Sequence, residues 1–443
     1  MVDILNQMAR EYVNHEANAL RGYVSEEKLA PIILNIAFLR EIECMMHKNL
    51  IDTQNLIKGN LNLKDVENSC KIIKKFITKN EVIRGVISDI FLEFINEQSE
   101  KLKDIVHISN GYVFENVENY GELFNEILYY INNRYLDITP KSINRLISEI
   151  LKNEPAKTIY DGAMGSGTLI NEVQKYHKEA HVYGQDISGN MVNFYKMMLI
   201  LEGKIEKLDN IKVGNTITQP AFLDGEMVKK FDIVVSNPPI MVKGYGFDII
   251  QQDKYNRFYR GVPSKQSSDF AFLTHFVESI DKNGVGVLLV PGGVLFRSGK
   301  EGIIRESIIN ENLIDSVILL PSNMLCNTAI QMNLLIIRKN KKDKDILFID
   351  ASKYFKKEGR LSVLTDEYIS KIVDIYNRRE SEKKFSNLVE VSGVVENDYN
   401  LSVQRYVKLE ERKEIDLKQV TKEISIIEKS LFEVHRKLDE ILG

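Results

Sequence analysis

The chain has 443 residues, 44% of them hydrophobic and 28% charged, an ordinary globular composition with room for about three domains. A formal net charge of -4 excludes a surface that is basic overall, so contact with nucleic acid would need a local patch or a partner. Cys44, Cys70 and Cys326 are too few and too far apart for a disulfide framework or a zinc site, and neither a secretory leader nor a run of about 18 apolar residues occurs; the expectation is a soluble cytoplasmic protein without metal or membrane contact.

Residues 1–130 read as a helical N-terminal domain. In LAPIILNIAFLREIECMMHKNL and EVIRGVISDIFLEFINEQSEKL the apolar residues recur three and four apart and Gly and Pro are scarce. No pattern with catalytic chemistry occurs there. From 131 to 360 the rhythm changes: short apolar runs at 157–161, 181–186, 211–215, 231–237, 284–291, 315–321 and 331–339 mostly alternate with segments of helical period. This alternation predicts βαβ units and a parallel sheet. Only residues 322–330 join the last two runs, too few for a parallel crossover, so the seventh strand is expected to be antiparallel.

The loop after the first run, DGAMGSGTLI, puts Asp161 at a strand end and then Gly162, Gly165, Ser166 and Gly167 before a helix. Glycines there let the backbone approach a ligand, and the spacing misses the GxGxxG of dinucleotide sites. Asp186 ends the second run, where it can accept hydrogen bonds from ribose hydroxyls, and Asn215 ends the third with an amide able to accept another. The fourth run, FDIVVSNPPI, enters two prolines. Pro238 and Pro239 lack an N–H for the ladder and must end the strand, which leaves Asn237 at the carboxyl edge of the sheet, where open α/β folds bind ligands. The long connection that follows interleaves Lys243, Lys254, Arg257, Arg260 and Lys265 with Tyr245, Phe247, Tyr255, Phe258 and Tyr259, as a lid with cations for phosphates and rings for bases would. Residues 361–408 read as a helical or irregular connector. Residues 409–443 read as a heptad helix for partner docking: Leu417, Val420, Ile424, Ile427, Leu431, Val434, Leu438 and Ile441 alternate at three and four, a stripe that either folds back on the N-terminal helices or meets a partner helix.

From about residue 130 to its end the chain resembles the modification subunits of type I restriction-modification systems, which are DNA adenine-N6 methyltransferases. The resemblance is carried by DITPKS (137–142), DGAMGSG, YGQD, FDIVVSNPP, SSDFAF (267–272), VPGGVLFRSG (290–299) and NDYNLSVQRYV (397–407). It implies a class I S-adenosylmethionine-dependent methyltransferase fold, a seven-stranded doubly wound α/β sheet with the last strand antiparallel, between a helical N-terminal domain and a C-terminal coiled-coil-like helix. It also implies S-adenosyl-L-methionine as cofactor, held by Thr139, Pro140, Asp161, Gly162, Gly165, Ser166, Gly167, Asp186, Asn215 and Asn237. The partners implied are double-stranded DNA, a separate specificity subunit bound through the C-terminal helix, and a restriction subunit.

The chemistry of Asn237 follows from its substrate. An exocyclic adenine amine is a poor nucleophile because its lone pair is delocalised into the ring. The Asn237 side-chain oxygen and the Pro238 carbonyl, aimed by the rigid Pro238–Pro239 pair, would accept its two hydrogens and hold the nitrogen nearer to tetrahedral. Four residues depart from the family pattern: Gly162 replaces a Pro, Ile138 an aromatic, Asn215 an acid, and Ile240 the Phe or Tyr that stacks on the flipped-out base. Ile240, Lys243, Tyr245, Phe247 and Arg257 are the candidate contacts to DNA and its adenine; either a lid aromatic replaces the missing ring or activity is weakened. The alternatives are therefore a methyltransferase-fold scaffold of weak or no activity, and a protein glutamine methyltransferase, against which NDYNLSVQRYV argues.

Overall fold

The seven apolar runs fold as strands: β1 (Thr158–Asp161), β2 (His181–Asp186), β3 (Ile211–Val213), β4 (Phe231–Ser236), β5 (Ile280–Pro291), β6 (Ile314–Leu319) and β7 (Met332–Arg338). The computed structural model describes residues 2–48, 50, 57–112, 117, 119–135, 138–326, 328–407 and 417–442. Two further strands, β8 (Asp345–Asp350) and β9 (Ser386–Glu390), extend the sheet to nine, in the order β9-β8-β6-β7-β5-β4-β1-β2-β3. β3, β2, β1, β4 and β5 run parallel. β7 lies antiparallel between β5 and β6, as the short link before it requires.

Residues 361–408 do more than connect. They form the helix Asp366–Arg378 and deliver β9, which pairs antiparallel with β8 from Asp345↔Glu390 to Ile349↔Ser386. Of the two additional strands, β9, SNLVE, gives a weak signal with two consecutive apolar residues, whereas β8, with Ile346 to Ile349 apolar in a row, is as apolar as several of the runs read as strands.

Alternation along the strands sorts the core onto two faces. Ile233 and Val235 of β4 point to one side and Val234 to the other. The first side is covered by the helices Lys141–Leu151, Thr168–Gln174, Gly189–Leu201 and Asp366–Arg378, and its core continues into the N-terminal helices. Their centre is the helix Glu26–His47, buried from Leu29 to Met45 all round: its first half is apolar on nearly every face, and the polar groups buried with it include Asn35, bonded to Ser88, and Arg40, paired with Glu43. The second side is covered by Asp269–Ser279 and Lys300–Asn310, then by the NDYNLSVQRYV segment, whose Leu401, Val403 and Val407 are buried and whose Tyr406 ring stacks on Phe348 of β8 at 4.1 Å. The C-terminal helix Leu417–Leu442 keeps Ile424, Ile427, Leu431 and Val434 exposed, so the N-terminal helices do not cover this half of its stripe. The side chains of Leu417, Val420, Leu438 and Ile441 lie outside the described residues. Among the described residues no helix is long and apolar enough to cross a membrane.

Candidate cofactor and target-base site

The carboxyl ends of β1 to β4 open into one cavity of about 780 Å³, within the size range of a cofactor site. Thr139, Asp161, Gly162, Gly165, Ser166, Asp186, Asn215 and Asn237 through Ile240 all line it. Pro140 and Gly167 do not. Pro140 is the N-cap of the helix Lys141–Leu151, one residue later than a Thr N-cap would place it, and Gly167 takes φ +73 to start the helix Thr168–Gln174, where a Cβ would lie 2.2 Å from the Tyr195 ring.

The loop after β1 is held from both sides. Asp161 is buried and accepts from the Ser236 hydroxyl at 2.6 Å and the Ala163 N–H at 2.9 Å; burial pushes its carboxyl up to about 7. Asp186 accepts from the N–H groups of Gly165 and Ser188, each at 2.8 Å, so the end of β2 pins the glycine loop; burial raises its pKa as well. The Ser166 hydroxyl is buried at the cavity wall with no hydrogen-bond partner among the described residues, as a donor reserved for a ligand would be. Gly162 leaves no space for a side chain, the proline of the resembled pattern included: a Cβ there would lie 2.4 Å from the Tyr160 hydroxyl and 2.9 Å from Thr216.

Asn215 is oriented differently from expectation. Its side-chain oxygen already accepts from the N–H groups of Ile217 at 2.9 Å and Thr218 at 3.2 Å, so what it offers a ligand is the amide NH2, a donor. Asn237 is oriented the other way. Its amide nitrogen donates to the Thr139 hydroxyl at 3.0 Å, which leaves its oxygen as the group for a ligand. The backbone after the prolines is fixed by the SSDFAF segment: the Met241 N–H donates to Asp269 at 2.7 Å, the Val242 N–H to Ser268 at 3.2 Å, and Asp269 is paired with Arg297 of VPGGVLFRSG. Met241 itself sits at φ +52.

Only part of the lid faces the cavity. Tyr245 lines it, as does Phe272, and the Tyr245 hydroxyl is tied to the Ser264 carbonyl at 2.7 Å; Ile240 lies half-buried beside them. Lys243 is exposed, and Phe247, half-buried under Lys265, does not line the cavity. Arg257 is not a surface contact at all. Its side chain is 1% exposed, paired with Asp253 at 2.6 Å, and it donates to the carbonyls of Thr216 at 3.2 Å and Ile217 at 2.7 Å. Arg260 is likewise buried between Glu278 and Glu311. The exposed lid cations are Lys243, Lys254 and Lys265.

Arg257 also starts a directed chain. A guanidinium only donates, so His275 Nδ1 accepts from it at 3.1 Å, and the ring proton on Nε2 points at the Tyr160 hydroxyl 2.9 Å away. Burial and the adjacent Arg257 keep His275 neutral, with its pKa well below 6.5. Tyr160 reaches Thr216, whose hydroxyl donates to the Gly162 carbonyl. Lid, Asn215 loop and glycine loop are thus joined beneath the cavity. The sequence reading missed His275, Tyr160, Thr216 and Ser236; the one available signal was Asp253 four residues before Arg257. Among the described residues no group of three or more His, Cys, Asp or Glu could hold a metal ion.

Residues 136–415, more than half the chain, match the sequence model of N-6 DNA methylases. The chain belongs to that family. It is 35% identical over 375 residues to the type I restriction enzyme MjaVII methylase subunit of Methanocaldococcus jannaschii, covering 79% of this chain and 63% of that protein. With the MpnII methylase subunit of Mycoplasma pneumoniae it shares 31% over 320 residues, covering 69% and 59%. The match therefore spans less than two thirds of the length of either relative. In structure it is similar to a type I restriction-modification system methyltransferase subunit from Streptococcus thermophilus, with a TM-score of 0.79 at 24% identity over 91% of this chain and all of that one. The fold is that of class I S-adenosylmethionine-dependent methyltransferases, widened by β8 and β9. Beside Gly162 stands the Tyr160 hydroxyl, and Tyr245 and Phe272 bring aromatic rings to the cavity that Ile240 also lines.

Proposed function

We propose that this chain transfers a methyl group from S-adenosylmethionine to the N6 amine of adenine in double-stranded DNA, as the modification subunit of a type I restriction-modification complex. The observation that carries the reading is Asn237: its amide nitrogen is bonded to Thr139, its oxygen is left for a ligand, and it shares one cavity with the glycine loop and Asp186. The residues present fit the cofactor. Asp186 would accept from the ribose hydroxyls, the Ser166 hydroxyl and the Asn215 amide would donate, and the loop from Gly162 to Ser166 would approach the methionine part. S-adenosylmethionine supplies a methyl group already activated by its sulfonium. The chain's part is to position: Asn237 Oδ1 and the Pro238 carbonyl accept the two amine hydrogens, so the nitrogen lone pair is aimed at the methyl carbon. As the N–C bond formed and the methyl–sulfur bond broke, with the neutral thioether leaving, the positive charge growing on nitrogen would strengthen both hydrogen bonds, so the pair would stabilise the transition state more than the bound substrate; one amine proton would then pass to water.

Tyr245 and Phe272 are the rings that would hold the flipped base beside Ile240. Residues 131–360 would carry the chemistry, with residues 1–130 packed on their first face. The C-terminal helix, from about 409, would dock on a helical specificity subunit through its exposed stripe. A weak or inactive scaffold is the second reading, and the aliphatic Ile240 favours it. The test is to incubate the chain, its specificity subunit and methyl-labelled cofactor with duplex DNA and analyse the nucleosides. Label in N6-methyladenine is expected; label in cytosine, in protein glutamine or nowhere would contradict the proposal.

A further inference from the structure

The strands of a small hairpin outside the main sheet add no residue to the apolar core and none to the lining of the cavity. Its strands, Lys356–Glu358 and Leu361–Val363, pair antiparallel from Lys356↔Val363 to Glu358↔Leu361, and the two-residue turn puts Gly359 at φ +61, as tight hairpins require. From Lys353 to Arg360 the sequence is KYFKKEGR, four basic residues against one acid, in a chain whose net charge is -4. Lys353, Lys356, Lys357 and Arg360 are all exposed, and among the described residues none of the four is ion-paired. Lys357 is held in place, donating to the Ser362 hydroxyl at 3.1 Å and lying 5.2 Å from the Phe355 ring centre.

A two-stranded hairpin is marginal by itself, and this one is anchored. Ser362, buried at the hairpin base, donates its N–H to the Asn323 carbonyl at 2.8 Å. Asn323 opens the β6–β7 loop, whose Leu325, Thr328 and Ile330 line the cavity. The hairpin therefore stands on one wall of the cavity. The lid carrying Lys243, Lys254 and Lys265 follows β4, and its Met241, Val242 and Tyr245 line the same cavity.

We propose that the hairpin Lys353–Val363 binds backbone phosphates of the duplex whose base enters the cavity. This rests on the methyltransferase reading above. Four cations with no ion-pair partner among the described residues, on a short anchored hairpin, suit a polyanion, because each phosphate they neutralise releases condensed counterions. A protein partner fits poorly: the tip, Lys-Lys-Glu-Gly-Arg, has no apolar or aromatic anchor, and Lys and Glu are depleted from protein interfaces.

The experiment measures binding of the full chain to a labelled mixed-sequence duplex of about 30 base pairs by fluorescence anisotropy, between about 20 and 150 mM salt. Lys356→Ser, Lys357→Ser and Arg360→Ser combined should weaken binding about tenfold or more at low salt and flatten the slope of log K against log salt by about two to three units. Melting temperature and S-adenosylmethionine affinity should stay as in the wild type. Arg360→Ser alone, at the exposed turn, should flatten the slope by about one unit and serves if the triple variant does not fold. An unchanged slope would overturn the proposal. So would loss of binding to phosphatidylserine vesicles with duplex binding intact, which would assign the hairpin to a membrane surface. Methylation of duplex adenine by the wild type is scored separately: a hairpin-dependent slope without methylation supports the hairpin and removes only the catalytic reading.

Discussion

The proposed alignment of an amine by Asn237 requires that its own amide be held, and the Thr139 hydroxyl is what holds it. Thr139→Val keeps the shape and removes the acceptor. One net hydrogen bond is worth about 0.5 to 1.5 kcal/mol, so the rate of methyl transfer should fall up to about tenfold with cofactor affinity within a few-fold, and Thr139→Ser should restore it. Equal loss in both variants would mean that Thr139 only packs. Asp161 gives a second expectation, with a defined sign. Its carboxyl titrates near 7 in the folded chain, above the usual carboxylate range, because burial favours the neutral form. Between the unfolded and folded values the folded state binds more protons, so this residue makes stability fall as pH rises from about 4 to 7, by up to about 1.4 kcal/mol per pH unit, with no further loss above. Melting curves against pH should show that component in the wild type and lose it in Asp161→Asn, where an amide oxygen can still accept from Ser236 and Ala163. Asn237, Asp186 and the glycine loop were legible in sequence because prolines, a strand-end acid and clustered glycines leave marks in one dimension. The orientation of Asn215 was not, because it is set by two backbone N–H groups in a turn whose geometry no residue type announces.

The lid shows where reading a segment by charge fails. Its five cations looked alike in sequence, yet Arg257 and Arg260 are buried bolts and only the lysines are left on the surface. Lys is a flexible, strongly hydrated point charge, whereas the planar guanidinium of Arg satisfies several acceptors at once, so the Arg residues are the ones drawn inside. Breaking a buried pair leaves the other charge unmatched, at about 3 to 5 kcal/mol. Arg257→Met should therefore lower the melting temperature by several degrees and weaken cofactor binding through the Asn215 loop, and Asp253→Asn should do so more mildly. Neither should change the salt slope of duplex binding. A flattened slope with unchanged melting would return Arg257 to the DNA surface. The strands tell the complementary story: the seven short apolar runs announced themselves by alternating with helical segments, whereas β8 lies outside that alternation and β9, SNLVE, has little apolar character, so both owe their place to tertiary pairing.

In the molecule as a whole, two faces of the sheet are closed and the C-terminal helix is left with Ile424, Ile427, Leu431 and Val434 in water. Its heptad spacing was plain in sequence, but whether it folded back was not, since a stripe of this kind matches any complementary helix. On the docking proposed for this helix, replacing Ile427 and Leu431 with Asp should leave melting and cofactor affinity unchanged and abolish co-purification with a specificity subunit; a drop in melting temperature would point to fold-back, and retained co-purification with unchanged melting would reject both. The most direct measurement is methylation-sensitive sequencing of genomic DNA from host cells carrying the wild-type gene, the Asn237→Ala gene or neither. The expected result is N6-methyladenine at a defined sequence with the wild type only, and at least about 100-fold less with Asn237→Ala, although that variant binds S-adenosylmethionine within a few-fold of the wild type. Near-normal adenine methylation by Asn237→Ala, or no methylation that depends on the wild-type gene, would contradict it.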